Sequence, residues 1–162
     1  EEKKVLLVDC DLRRPMVHKM FGISQTPGFS DIIKSGADIE SYIKKPAIEN
    51  LFIIPSGTSH PNPGELFISA KMKNMLDKLK AKFDYVIFDT PPVLPVTDSS
   101  QIGAICDGVI FVVSAETTQK NAIERAFSML KNAHVTPKAC IMTHHQTASS
   151  LGKSYYHYYK SE

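Results

Sequence analysis

Val5-Leu6-Leu7-Val8-Asp9-Cys10-Asp11-Leu12-Arg13-Arg14-Pro15 passes abruptly from large aliphatic side chains to two alternate aspartates, two arginines and a proline. An aliphatic run this short, bounded by charge, is too brief for a helix and predicts a β-strand buried on both faces. Asp9 and Asp11 then stand at its carboxyl end, the edge where open parallel sheets bind ligands. Two carboxylates one residue apart, followed at once by guanidinium groups, are costly to bury as scaffolding. They suit a site for a divalent cation and phosphate oxygens. Read alone, the same letters also fit a strand leaving the core into a solvated turn.

A second stretch of the same kind weighs against that plainer reading. Phe83-Asp84-Tyr85-Val86-Ile87-Phe88-Asp89-Thr90-Pro91-Pro92 predicts another buried strand ending in an aspartate. The diproline after it forbids helical continuation. A small, hard cation such as Mg²⁺ prefers one or two carboxylates together with water and phosphate oxygens, which aspartates at strand ends can supply.

These two stretches resemble motifs of one family. VLLVDCDLRRP is similar to the Walker A-prime motif, and VIFDTPP to the Walker B motif, of the bacterial tyrosine kinases (BY-kinases), P-loop proteins that regulate capsule and exopolysaccharide synthesis. Pro27-Gly28-Phe29-Ser30-Asp31, Pro61-Asn62-Pro63-Gly64-Glu65-Leu66 and Pro92-Val93-Leu94-Pro95-Val96-Thr97-Asp98 extend the likeness over nearly the whole chain. The tail Tyr155-Tyr156-His157-Tyr158-Tyr159 resembles the family's autophosphorylated tyrosine cluster.

The resemblance implies an α/β fold of the MinD/ParA-like P-loop NTPase type, a mostly parallel sheet with helices on both faces. It implies ATP and Mg²⁺ as cofactors, with Asp9, Asp11 and Arg13 as catalytic residues and Asp11 and Asp89 at the metal. Asp9 would act near the incoming tyrosine hydroxyl as base or orienting group. Arg13 would anchor phosphate or the loop geometry. Tyr155, Tyr156, Tyr158 and Tyr159 would be the phosphorylated residues. Partners implied are a second copy of the chain in a ring-like oligomer, with the tail acting in trans, a transmembrane polysaccharide co-polymerase as activator, and protein tyrosine substrates. The corresponding place is the cytoplasmic face of the cell membrane.

Composition agrees with such a protein. The 162 residues, 43% hydrophobic and 22% charged, are one domain's worth of globular chain. A net charge of +2 does not point to nucleic acid. Cys10, Cys106 and Cys140 have no paired spacing, and two lie in or beside apolar runs, so reduced core thiols are expected. No apolar run approaches the roughly 20 residues needed to span a bilayer.

The remaining pattern alternates strand with helix. Short helical patterns fall at Met16 to Gly22 and Gly28 to Tyr42, and a strand at Asn50 to Pro55. One amphipathic helix is expected from Gly64 to about Lys82, on Leu66, Ala70, Met75, Leu76, Leu79 and Phe83, with its lysines on a solvated face. Thr97 to Cys106 predicts a short helix that Thr97 or Asp98 would cap. Gly108 to Ser114 is a strand, Thr118 to Ala133 a helix, and Lys138 to Thr143 a last strand. This order, without hairpin turns, predicts a parallel sheet. The loop Ser56 to Pro63 either faces a ligand or is a plain surface connection.

Glu1 opens the sequence, and the A-prime strand of the family normally follows a phosphate-binding loop. Residues 1–146 are therefore expected to be an N-terminally incomplete nucleotide-binding kinase domain, poor as a kinase alone, and 147–162 a flexible tyrosine-rich tail. Gly152-Lys153-Ser154 copies the end of GxxxxGK[ST], but position 147 is Thr and no helical pattern follows. Met142-Thr143-His144-His145 stands where the family commonly carries a base-recognising Asn. Adjacent histidines here, and His157, lack the spacing of a shared metal site. Two rival readings stay open: a partitioning ATPase of the MinD/ParA type, and a non-catalytic nucleotide-fold binding module.

Overall fold

The computed structural model describes residues 2–144. It builds β1 (Val5–Asp9), α1 (Val17–Met20), α2 (Phe29–Ser35), a 3₁₀ turn (Ile39–Tyr42), β2 (Leu51–Ile54), α3 (Pro63–Phe67) and α4 (Ala70–Lys80). There follow β3 (Tyr85–Asp89), α5 (Asp98–Gly103), β4 (Ile110–Ser114), α6 (Lys120–Asn132) and β5 (Ala139–Thr143). Every strand pairing among these elements is parallel, as the alternation of strand and helix requires.

The opening stretch becomes the middle strand of a sheet ordered β2-β1-β3. Leu6 and Val8 are fully buried, and their side chains join Phe29, Ile33, Met72, Leu79 and Ile102 in the main core. Burial of each such side chain contributes about 1.5–3 kcal/mol. The register pairs Val5 with Tyr85 and Asp9 with Asp89, bringing both aspartates to the same carboxyl edge. On the far side of β2, Lys44 and Ile53 exchange backbone bonds of 2.7 and 2.8 Å, which cover that edge.

The outer strands are wetter than their apolar runs suggest. Tyr85 and Ile87 on β3 are more than half exposed, as are Ile110 and Val112 on β4. The reason is topological: β4 pairs only with β5 in a second sheet, so β3 has one strand neighbour among the described residues. A smaller core, Phe111, Val113, Ala126, Leu130 and Val135, joins β4 to α6.

Three further expectations need correction. The helix expected from Gly64 to Lys82 is two helices, because Ser69 leaves helical geometry and caps α4 by accepting the backbone N–H of Met72 at 3.2 Å. Asp98 and Thr97 make no side-chain cap on α5. Cys140 is exposed, whereas Cys10 is buried; all three cysteines are free.

The segment Pro27 to Asp31 locks the loop after β2. Asp31 accepts the N–H of Gly28 at 2.9 Å and of Thr58 at 3.1 Å, and Ser30 donates to the Thr58 carbonyl at 2.6 Å. Partial burial opposes ionisation of Asp31, but the bonds from Thr58 and Gly28 outweigh it and hold its carboxyl below the usual range. Gly28 lies so close to this loop that a Cβ there would collide with the Pro55 carbonyl and the Gly57 nitrogen. Gly28→Ala is therefore expected to destabilise the protein by about 1–3 kcal/mol, because backbone rather than a rotatable side chain must move. A urea-unfolding midpoint equal to that of the unsubstituted protein would refute this packing.

Candidate active site

Asp9 ends β1 inside the protein, with no exposed surface. Its Oδ1 accepts the N–H of Asp11 at 3.2 Å and its Oδ2 the N–H of Val17 at 3.3 Å. The carboxylate thus holds both the start of the loop and the first residue of α1. Asp11, half-buried, repeats the device one turn later: its Oδ1 accepts from Arg13 N at 3.1 Å and Arg14 N at 2.9 Å. Aspartates favour such local bonds to following backbone N–H groups, and the D-x-D spacing produces two in succession.

Asp89 closes β3 beside Asp9, and the N–H of Cys10 donates to the Asp89 carbonyl at 2.8 Å. The three carboxylates interact. Burial, then repulsion from Asp89, raises the Asp9 carboxyl from its ordinary 3.8 to about 6. Burial, then repulsion from Asp11, also raises Asp89. Such mutual repulsion is relieved by a cation, and the position suits one.

The donor set fits Mg²⁺ in a particular way. Among the described residues no group of three or more His, Cys, Asp or Glu side chains encloses a metal. Mg²⁺ seldom requires such a cage; one or two carboxylates suffice when waters and phosphate oxygens complete its octahedron. Asp11 and Asp89 are the side chains that would hold it, since both Asp9 oxygens already serve backbone N–H groups.

Arg13 does not point alone into solvent. Its Nε and Nη2 donate to Oδ2 and Oδ1 of Asp98 at 2.9 and 3.3 Å, a two-pronged ion pair in which Asp98 is 1% exposed. Sequence reading offered Asp98 as a helix cap and missed this pair. No local signal reveals it, because the partners stand 85 positions apart in the chain.

His144 sits at the carboxyl end of β5, its Nδ1 3.1 Å from Thr143 Oγ1 and 3.5 Å from Ser114 Oγ. His145, His157, Gly152-Lys153-Ser154 and the four tail tyrosines Tyr155, Tyr156, Tyr158 and Tyr159 lie outside the described residues. A cavity of about 1130 Å³ between α4, α5 and α6 is lined by Met72, Leu76, Ala104, Ile105 and Met129. None of the three carboxylates lines it, so its size does not make it the reaction site.

Comparison with known proteins shows which families and folds the chain resembles. Residues 1–141 match the family described as AAA domain. The tyrosine-protein kinase YwqD of Bacillus subtilis is 36% identical over 97% of this chain and 65% of its own length. The putative tyrosine-protein kinase CapB of Staphylococcus aureus is 30% identical over 96% of this chain and 68% of its own. The chain spans only a fifth of the longer kinase ptk of Acinetobacter johnsonii. Among solved structures, the VpsO kinase domain superposes with a TM-score of 0.83 at 30% identity, covering 89% of this chain and 71% of that one. The septum site-determining protein MinD of Pyrococcus horikoshii, at 21% identity and a TM-score of 0.67, shares the fold.

The raised Asp9 carboxyl has a consequence for stability. Below pH 3.8 the group is protonated folded or unfolded, and its favourable contribution is lost as pH rises through about 6. A shift of about 2 units corresponds to about 3 kcal/mol. Asp9→Asn is expected to abolish this dependence, so that its stability relative to the unsubstituted protein improves between pH 4 and 7. Urea midpoints measured across that interval check it, and parallel curves for the two proteins would contradict it.

Proposed function

The chain belongs to the bacterial tyrosine-protein kinase family, and from that premise we propose that it transfers the γ-phosphoryl group of ATP to tyrosine hydroxyls. The first acceptors are the tail tyrosines Tyr155, Tyr156, Tyr158 and Tyr159, and the protein acts in regulating capsular and exopolysaccharide synthesis and export. The reading rests above all on the register that sets Asp9 against Asp89, with Asp11 two residues beyond Asp9. Phosphoryl transfer is mainly a matter of alignment and charge neutralisation, so a carboxylate edge of this kind is its principal requirement from this part of the chain.

Mg²⁺ and ATP, when bound, supply the charge neutralisation and the transferred group. Asp89 orients the water shell of the metal, and Asp11 supports the metal and phosphates from the loop. Asp9 is the orienting residue: its full burial and its two backbone bonds favour that role over direct proton abstraction. Arg13 fixes loop geometry through Asp98, which favours the structural alternative over phosphate anchoring.

Ring-like self-association with the tail in trans, activation by a transmembrane polysaccharide co-polymerase and a place at the cytoplasmic face of the membrane complete the proposal. No helix among the described residues is long and apolar enough to cross a membrane. The rival partitioning ATPase shares the fold, but its representative MinD is the more distant likeness. The kinases match at 30–36% identity.

Phosphotyrosine mapping by mass spectrometry on the intact parent protein, with Mg²⁺ and ATP, tests the proposal. Phosphate is expected on the tail tyrosines, and Asp89→Asn is expected to slow its appearance by about 10²-fold or more. Unmodified tyrosines in a protein that hydrolyses ATP would overturn the kinase reading in favour of a partition-type ATPase.

A further inference from the structure

Two adjacent residues opening α5 hold the two loops that carry the metal-side carboxylates. Asp98 takes the fork of Arg13, which stands two residues after Asp11. Ser99 Oγ donates to the carbonyl of Pro91, which stands two residues after Asp89. Both are buried, Asp98 at 1% and Ser99 at 7% exposure. Neither is spent on its own helix: Thr97 occupies the cap position, and no side chain caps the helix. Burying a carboxylate is costly unless its partner is well placed, and a two-pronged guanidinium contact is among the most geometrically exact. The contact therefore fixes not merely a distance but the plane of the Arg13 guanidinium, and with it the turn in which Asp11 accepts the Arg13 N–H.

We propose that Asp98 and Ser99 form a clamp that sets the spacing of Asp11 against Asp89, making them positioning residues for the divalent cation. The clamp works across the gap between the β1 and β3 loops, where the strands themselves no longer pair beyond Asp9, Cys10 and Asp89. Strand pairing fixes Asp9 against Asp89. Beyond that pairing, α5 ties Arg13 of the β1 loop and Pro91 of the β3 loop to a common support. This rests on the proposed nucleotide site, though not on tyrosine being the acceptor.

The test is Mg²⁺-dependent binding of a fluorescent ATP analogue to the intact parent protein, with thermal melting in parallel. Asp98→Asn keeps shape but loses the charged pair, and is expected to raise the Mg²⁺ concentration at half-saturation by about 10–100-fold, the usual effect of removing a residue that orients a metal ligand. Ser99→Ala is expected to raise it several-fold and supplies the answer if the first variant fails to fold. Arg13→Lys, which keeps charge and loses the fork, is expected to match Asp98→Asn, and the double variant Arg13→Lys with Asp98→Asn to be no worse than either alone. Lower melting temperatures with unchanged Mg²⁺ half-saturation in Asp98→Asn and Ser99→Ala would overturn the clamp. A protein that binds the Mg²⁺-nucleotide in this manner yet phosphorylates no tyrosine would leave the clamp standing and remove the kinase reading.

Discussion

Parallel pairing of β1 with β3 places Asp9 directly beside Asp89, and the rest of the site answers to that juxtaposition. Neighbouring strands lie about 4.8 Å apart, too close for two carboxylates on one edge to ionise independently. The protein meets the problem on two fronts. Backbone N–H groups of Asp11 and Val17 converge on Asp9 and partly offset its burial, while Asp89, partly desolvated, keeps part of its surface in solvent. The residual repulsion leaves the edge receptive to a cation. A feature unfavourable to folding is thus the same feature that fits the chemistry.

The fold keeps that edge rigid by burying the strand that leads to it. Leu6 and Val8 share one face of β1 and lie in the core with Phe29, Ile33, Met72 and Leu79, so β1 cannot slip by one residue without sending these side chains to the less buried face. A slip would also separate Asp9 from Asp89. Loops are held by different means. The β1 loop is wound around Asp9 and Asp11, the β2 loop is gripped by Ser30 and Asp31, and the β3 loop is tied to Ser99. Polar side chains, not apolar packing, define the carboxyl edge, which suits the charged ligand proposed for it.

Much of this was legible from the chain itself. The strand ends Asp9 and Asp89, the alternation of strand and helix, and the amphipathic helix α6 follow from local patterns of apolar spacing and punctuation, because side-chain periodicity reports which backbone geometry can bury them. The break at Ser69 stayed hidden, because the apolar spacing of Leu66 to Leu79 runs through it. The exposure of Tyr85, Ile87, Ile110 and Val112 was not readable, since an apolar run does not state how many strands flank it.

Sequence alone determined which residues would stand at the carboxyl edge of the sheet, because D-x-D after an aliphatic run and D-T-P-P after another are local facts about where strands must stop. Tertiary structure decided what those residues face. Arg13 and Asp98 are separated by 85 positions, and the packing of α5 beside the β1 loop turns an apparent helix cap into a part-buried ion pair. The elevated Asp9 carboxyl likewise depends on burial and on a neighbour on another strand, neither of which a residue's own neighbours in sequence can supply.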